Sequence, residues 1–265
     1  MHNFAYHKPA SLADAAALLA SHEDAKLLAG GQTYIPTLKQ RLAQPTDVID
    51  LGGIAELEGI KEEAGGVTIG AMTRHGEVAE SAIVKRVIPA LAALAHLIGD
   101  PAVRNRGTIG GSISNNDPAA DYPGACLALG ATIRTTRREI GADAFFTGMF
   151  ETALERDEIV KAVHFPRADK AAYEKFPNPA SRYAMVGAFV ARTGNGVKVA
   201  ITGAGQGGAY RWTEAEQALG STWSASAIDG LTVSPDDMNS DIHASSEYRA
   251  HLVKVITKRA LAKAG

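Results

Sequence analysis

Leu12, Ala15, Ala16, Leu19 and Ala20 recur at the spacing of one helical face. Ser11 with Asp14 three residues on gives that face a capping-box-like start, so a helix is predicted over 12–21. A short apolar run at 25–29 ends in Gly30-Gly31, a second helical pattern covers 35–42, and 47–51 reads as a strand before Gly52-Gly53. Strand, glycine turn, helix and strand in that order predict a parallel βαβ pair. The pattern changes at 60–71, where two short alternating segments flank Glu62-Glu63-Ala64-Gly65-Gly66 and predict a hairpin. Thr73 stands where it would cap a short helix over 74–80. A longer helical stretch over 83–98 is interrupted at Pro89 and closed by Gly99.

Residues 100–125 break this regularity. They combine glycine, asparagine, aspartate, serine and proline with little apolar periodicity, and a long irregular connection in a folded domain is uncommon unless it is functional. A helix near 121–129, a β-type run at 131–136, a strand over 158–165 stopped by Pro166 and a polar linker around 167–172 follow. Beyond it, segments 184–192 and 197–202 flank Thr193-Gly194-Asn195-Gly196 as a hairpin, and Thr213 with Glu216 forms a capping box for a helix at 214–219. A last helix over 246–262 turns Leu252, Val255, Ile256 and Leu261 inward, and this C-terminal part reads as antiparallel α+β.

Composition narrows the function classes. With 27 basic and 29 acidic side chains, the chain of 265 residues lacks the positive charge that nucleic acid or an anionic membrane surface would require. The most apolar stretch, 87–98, is broken by Pro89 and His96, so no membrane span is expected, and with no signal-type N-terminus the expected location is cytoplasmic. One cysteine, Cys126, excludes a disulfide framework, a four-cysteine zinc site and a self-contained iron–sulfur cluster, and it is expected to pack as a small apolar residue at the start of a helix. The histidines form no HxxxH pair and there is no GxSxG elbow, so neither a metal site nor a catalytic triad is expected.

Glycine is the excess that carries information, with 27 residues and paired copies at 30/31, 52/53, 65/66, 110/111 and 207/208. Gly203 to Gly208, GAGQGG, matches GxGxxG, but too little chain follows for a dinucleotide-binding sheet, and a strand-to-helix turn explains it better. Ala29-Gly30-Gly31-Gln32-Thr33 is different. It ends a short strand, its glycines let backbone N–H groups approach an anion, and a helix start follows, which suits a pyrophosphate. Thr108-Ile109-Gly110-Gly111-Ser112 is a second such loop, with Asn115, Asn116, Asp117 and Asp121 behind it and Arg104 and Arg106 ahead. The two could clamp one diphosphate, or each could be a turn without a ligand.

At these loops the sequence resembles a known family. LLAGGQTYIPTLKQRLAQPTDVIDL, IGAMTRHGEV, IGDPAVRNRGTIGGSISNNDPAADYP and DIHASSEYRAHLVKVITKRAL are together similar to the FAD-binding medium subunit of molybdenum hydroxylases of the aerobic carbon monoxide dehydrogenase and xanthine dehydrogenase type. The resemblance implies an α+β fold: a PCMH-type, vanillyl-alcohol-oxidase-like FAD-binding domain over residues 1–172, with subdomains of about 1–55 and 56–172, and a C-terminal α+β domain with an antiparallel sheet over 173–265. It implies that Ala29, Gly30, Gly31, Gln32 and Thr33, extending through Tyr34 to Ile35, wrap the FAD pyrophosphate. Thr108, Ile109, Gly110, Gly111 and Ser112 form the second pyrophosphate and flavin loop. Ala71, Asn115 and Asp121 are marked as cofactor contacts, and Val160 and Lys175 match positions near the flavin or adenine. Ser112 stands where many relatives carry asparagine or aspartate, and Gln32-Thr33 replaces a commoner histidine-serine or glutamine-serine pair.

The resemblance further implies partners, a molybdopterin-binding large subunit and a [2Fe-2S] small subunit, assembled as a dimer of heterotrimers. Electrons from the clusters would reach FAD here and leave to an external acceptor, with no catalytic acid or base on this chain. A stand-alone FAD-dependent oxidoreductase on the same fold, or a module without flavin, are the alternatives at this point.

Overall fold

Short apolar runs alternating with helices give parallel pairing near the N-terminus. The protein is described by a computed structural model over residues 1–63 and 65–265, so Ala64, within the turn expected at 62–66, lies outside the described residues. Strands β1 (Ala5–His7), β2 (Lys26–Leu28) and β3 (Asp47–Asp50) form a parallel sheet in the order β1-β3-β2. Helix α1 (Leu12–Ser21) begins where Ser11 Oγ accepts the Asp14 N–H at 3.1 Å, as the pattern predicts, and α2 (Tyr34–Lys39) follows β2. Leu12, Ala15 and Leu19 share a core with Ile49, Leu51 and Ile54. The edge strand β1 escaped prediction because three residues carry no period.

The next layer is antiparallel. Strands β4 (Ile60–Glu63), β5 (Gly66–Gly70), β6 (Thr132–Thr135), β7 (Glu139–Gly141) and, after a ribbon of β8 (Phe146–Gly148) and β9 (Glu151–Thr152), β10 (Val160–Pro166) form a sheet ordered β4-β5-β10-β6-β7. Helices α3 (His75–Glu80), α4 (Ala82–Val87), α5 (Pro89–His96), α6 (Pro101–Arg104), α7 (Ile109–Asn115), α8 (Asp121–Leu129) and α9 (Ala142–Phe145) fall between these strands. The split at Pro89 is present, with proline opening α5, where its missing N–H costs nothing. Thr73 does not cap α3. Its hydroxyl is engaged with Gly59, accepting the N–H at 3.0 Å and donating to the carbonyl at 3.1 Å, and Arg74 takes the cap position.

Residues 100–125 are more regular than their composition implies, since α6 and α7 lie inside them. Ile109 and Ile113, one turn apart on α7, are both fully buried, and two glycines and two serines between and around them hid this short helical face. Cys126 is buried as an apolar residue, in the middle of α8 rather than at its start, and burial raises its thiol pKa.

Strands β11 (Lys170–Pro177), β12 (Ala184–Thr193), β13 (Gly196–Thr202) and β14 (Tyr210–Arg211) make the last sheet, antiparallel in that order, with α10 (Thr213–Ser221) and α11 (Ser246–Ala264) packed on it. Much of the linker expected at 167–172 is therefore strand. The expected Thr213/Glu216 box is absent because Glu216 turns to the sheet, accepting the Val199 N–H at 3.0 Å and Arg211 Nε at 2.8 Å. In α11, Leu252, Ile256 and Leu261 are buried as expected, whereas Val255 is half-buried and Val253 and Thr257 complete the inner face.

GAGQGG joins β13 to β14, strand to strand instead of strand to helix. Gly203 has φ +81°, and a Cβ there would strike the Ala184 carbonyl. Buried Arg249 pins the loop, donating to the carbonyls of Met185 at 2.7 Å and Gly203 at 3.1 Å and to Asp241 Oδ2 at 2.7 Å. Among the described residues no helix is long and apolar enough to cross a membrane.

Candidate functional site

A cavity of ≈ 680 Å³ opens between the parallel sheet, the N-terminal end of α7 and the turn joining β11 to β12, within the ~300–1,000 Å³ typical of ligand and cofactor pockets. Of the residues marked by sequence, Ala29, Gly30, Gly31, Gln32, Thr33, Tyr34, Ala71, Thr108, Gly110, Gly111, Ser112, Asn115, Asp121 and Val160 line it, whereas Ile35, Ile109 and Lys175 do not. Ile109 is fully buried, and the Ile35 side chain packs under Gly31.

The first loop leaves β2 at Leu28 and turns at Gly31, whose φ of +74° is the left-handed conformation that glycine adopts without strain. The Ile35 N–H donates to the Gly31 carbonyl at 3.1 Å and so starts α2. The N–H groups of Gly30, Gly31, Gln32, Thr33 and Tyr34 have no acceptor among the described residues. A run of free donors bordering a cavity can hold an anion, because such groups need partners and a carboxylate or phosphate oxygen supplies them. Tyr34 Oη is likewise buried without a hydrogen-bond partner.

The second loop is built differently. Thr108 caps α7, its Oγ1 accepting the Gly111 N–H at 3.2 Å, while the Ile109 N–H donates to Thr73 O at 3.1 Å, Gly110 to Ala71 O at 2.8 Å and Ser112 to Thr108 O at 3.0 Å. Its glycines serve close packing. A Cβ on Gly110 would stand 2.6 Å from Ala71 Cβ and 2.7 Å from Ala71 O; one on Gly111 would reach Ala29 Cβ at 3.4 Å. Gly30 of the first loop lies in turn against the backbone carbonyl of Arg106. The two loops thus touch through glycine, and Arg106 contributes its backbone to that contact. Arg104 spends its guanidinium on the carbonyls of Ile98 and Gly99, at 3.0 and 3.1 Å.

Asp121 borders the cavity from a buried position. The Tyr173 hydroxyl donates to its Oδ1, and Lys175 Nζ stands 3.0 Å from Oδ1 and 3.1 Å from Oδ2 while also donating to Leu97 O at 2.9 Å. Lys175 therefore acts through Asp121 instead of lining the site. His75, buried on the cavity wall, has Nδ1 without a partner; burial, then the charge of Arg104, holds its imidazole pKa down to about 4.

Sequence reasoning missed the far side of the site. Phe150, Arg182 and Tyr183 also line the cavity, and Phe150 and Arg182 have φ of +57° and +62°. Buried Asn116 holds the Phe150 turn: its Nδ2 donates to the carbonyls of Gly148 and Glu151, both at 2.8 Å, and its own carbonyl accepts the Phe150 N–H at 3.1 Å. No period or motif announces a non-glycine residue in left-handed conformation, so these side chains gave no signal. His75 did, inside the quoted MTRHGEV run.

The arrangement fits a long ligand with an anionic centre, free N–H donors on one side and an apolar and aromatic wall on the other. Comparison with known proteins agrees. Residues 2–168 match the family described as FAD binding domain in molybdopterin dehydrogenase, and residues 171–264 match CO dehydrogenase flavoprotein C-terminal domain. The chain is 36% identical to the carbon monoxide dehydrogenase medium chain of Hydrogenophaga pseudoflava, covering 97% of this chain and 96% of that one. It is 37% identical to the nicotine 6-hydroxylase medium subunit of Paenarthrobacter nicotinovorans, covering 98% and 96%. Its fold superposes on a chain of reconstituted CO dehydrogenase from Oligotropha carboxidovorans with a TM-score of 0.92 at 34% identity, covering 99% of this chain and 97% of that chain. The chain belongs to the family of FAD-binding oxidoreductase subunits of molybdopterin dehydrogenases, with the C-terminal domain of the CO dehydrogenase flavoproteins behind its FAD-binding domain.

Proposed function

We propose that this protein is the electron-transferring medium subunit of a molybdenum hydroxylase, with the FAD pyrophosphate seated on the N–H groups of residues 30–34. The observation that carries the proposal is that run of unpaired donors beside a second glycine loop packed against it. FAD supplies the redox centre when bound. The chain's own residues would hold it: the first loop offers hydrogen-bond donors, Thr108 and Ala71 fix the second loop, Asp121 is held in place by Tyr173 and Lys175, and Phe150 and Tyr183 line the same cavity.

The proposal extends to the assembly. Electrons arrive from a [2Fe-2S] small subunit, substrate is oxidised on a molybdopterin-binding large subunit, and an external acceptor takes the electrons from FAD, in a cytoplasmic dimer of heterotrimers. The lone buried Cys126 leaves this chain without ligands for a four-cysteine cluster, in keeping with clusters on a partner. We assign the FAD-binding domain to 1–172 and the C-terminal domain to 173–265. The full chain, purified with its partners and supplemented with FAD, is expected to show flavin absorbance near one equivalent per chain. Gly30→Val, which drives a side chain into the Arg106 carbonyl, is expected to abolish it. A wild-type complex without flavin, or a Gly30→Val complex with full flavin content, overturns the reading.

A further inference from the structure

We propose that His7, His22 and Asp47 form a binding site for a zinc-class divalent cation, apart from the FAD cavity. The three side chains come from separate elements: His7 ends β1, His22 follows the last residue of α1 and Asp47 opens β3. Ala5 pairs with Asp47 and His7 with Ile49, so the two-residue alternation of a strand puts His7 and Asp47 on the same face of the sheet. His7 Nε2 lies 2.7 Å from Asp47 Oδ1, His22 Nε2 lies 3.8 Å from that same oxygen, and one ligand atom from each residue falls within 4.8 Å of the others. Ligand atoms around a tetrahedral zinc ion stand roughly 3.3 Å apart. Small rotations of two exposed-edge imidazoles bring the three atoms to that spacing.

The tautomer of His22 favours coordination. His22 Nδ1 lies 3.0 Å from the Leu18 carbonyl, which can only accept, so the proton sits on Nδ1 and the lone pair of the neutral ring is on Nε2, the atom facing Asp47. A cation displaces the proton by which His7 Nε2, at 2.7 Å, bonds the carboxylate of Asp47. Among the described residues no lysine or arginine nitrogen lies within 4 Å of it. Two imidazole nitrogens and one carboxylate are a donor set for zinc and its neighbours in the first transition row, not for magnesium or calcium, which prefer oxygen. Half-exposed histidines leave the fourth position to water. Placed at the end of the sheet where β3 begins, the ion would clip residues 7, 22 and 47 together, away from the Gly30-Gly31 loop that leaves the other end.

The experiment titrates zinc chloride into the chelator-treated full chain by calorimetry and follows thermal unfolding. Uptake of one zinc ion per chain is expected, with a rise in unfolding temperature that EDTA reverses. His22→Gln is expected to weaken binding by at least about tenfold, as is Asp47→Asn, while His251→Gln at an unrelated exposed histidine leaves it unchanged. Cobalt in place of zinc is expected to give the visible absorption of a tetrahedral ion, lost in His22→Gln. Should Asp47→Asn unfold, since Asp47 also opens β3, the half-exposed His22→Gln decides. No uptake by the wild-type chain, or equal affinity in His22→Gln, overturns the site.

Discussion

The loops at Ala29 to Thr33 and Thr108 to Ser112 look like copies of one device in the sequence, each a glycine pair between a small or apolar residue and a polar one. In the structure they divide the work. The first leaves its N–H groups from Gly30 to Tyr34 without acceptors, and the second has spent the N–H groups of Ile109, Gly110, Gly111 and Ser112 on Thr73, Ala71 and Thr108. A helix N-terminus attracts anions through unpaired donors as well as through its dipole. Once the donors are spent, what the second loop contributes is shape and a dipole end worth about 0.3–1 kcal/mol. On the proposed reading one loop binds FAD and the other braces it.

That division predicts that damage to the brace is structural. Gly110→Val puts a branched side chain onto Ala71, whose Cβ, carbonyl oxygen and Cα lie 2.6, 2.7 and 2.9 Å from the first added atom. Backbone on both sides prevents relief, so a cost above about 3 kcal/mol is expected, at the upper end for overpacking. Urea unfolding should show the loss with and without FAD. A variant of wild-type stability that has merely lost FAD would mean that the second loop binds and does not brace.

The brace also has a pH limit. Gly107 packs on the His75 ring, and His75 N–H donates to Gly107 O at 2.9 Å. The folded imidazole has a pKa of about 4 against 6.5 ordinarily, so between those values the unfolded chain binds more protons than the folded one and stability falls as pH falls. The loss starts below 6.5, is complete near 4 and amounts to something on the order of 3 kcal/mol for this depth of shift. His75→Gln cannot charge and should flatten that part of the stability profile. An unchanged slope in the variant would place the acid sensitivity elsewhere.

How much of this was legible follows from what each feature needs. The βαβ start, the hairpin turning at Thr193 to Gly196 and helix α11 were readable because their apolar positions repeat over enough residues to set a period. Helix α7 was not, since only Ile109 and Ile113 mark its inner face. The Thr213/Glu216 box was misread because a local pattern lost to a tertiary one, with Glu216 claimed by Val199 and Arg211. At the site, the resemblance led to the loops and to Asp121, but not to the difference between the loops, which lies in Thr73 and Ala71 supplying carbonyls from another element. Phe150 and Tyr183 reach the cavity from turns whose geometry no residue type announces. The His7, His22 and Asp47 cluster is equally invisible along the chain, where its members share no motif spacing.

The gentlest test separates the loops by one methyl group each. At Gly31, φ of +74° makes any L-residue cost about 1–2 kcal/mol, and the new methyl would stand 2.6 Å from Ile35 Cδ1, a side-chain end that can move. Gly31→Ala is therefore expected to remain folded but to bind FAD at least several-fold more weakly, because the strain is relieved by tilting peptide groups whose N–H should face the pyrophosphate. At Gly111 the backbone is helical, where alanine gains roughly 1 kcal/mol over glycine. Its methyl would meet Thr108 Oγ1 at 3.0 Å and Ala29 Cβ at 3.4 Å, contacts that a few tenths of an ångström relieve. The two effects oppose, so Gly111→Ala should change stability by less than about 1 kcal/mol and leave FAD affinity close to wild type, since the Gly111 N–H is already held by Thr108. FAD titration by quenching of flavin fluorescence reads both variants on one scale. Equal losses at the two positions would show that both loops hold the cofactor through their N–H groups, and the distinction between binding loop and brace would fall.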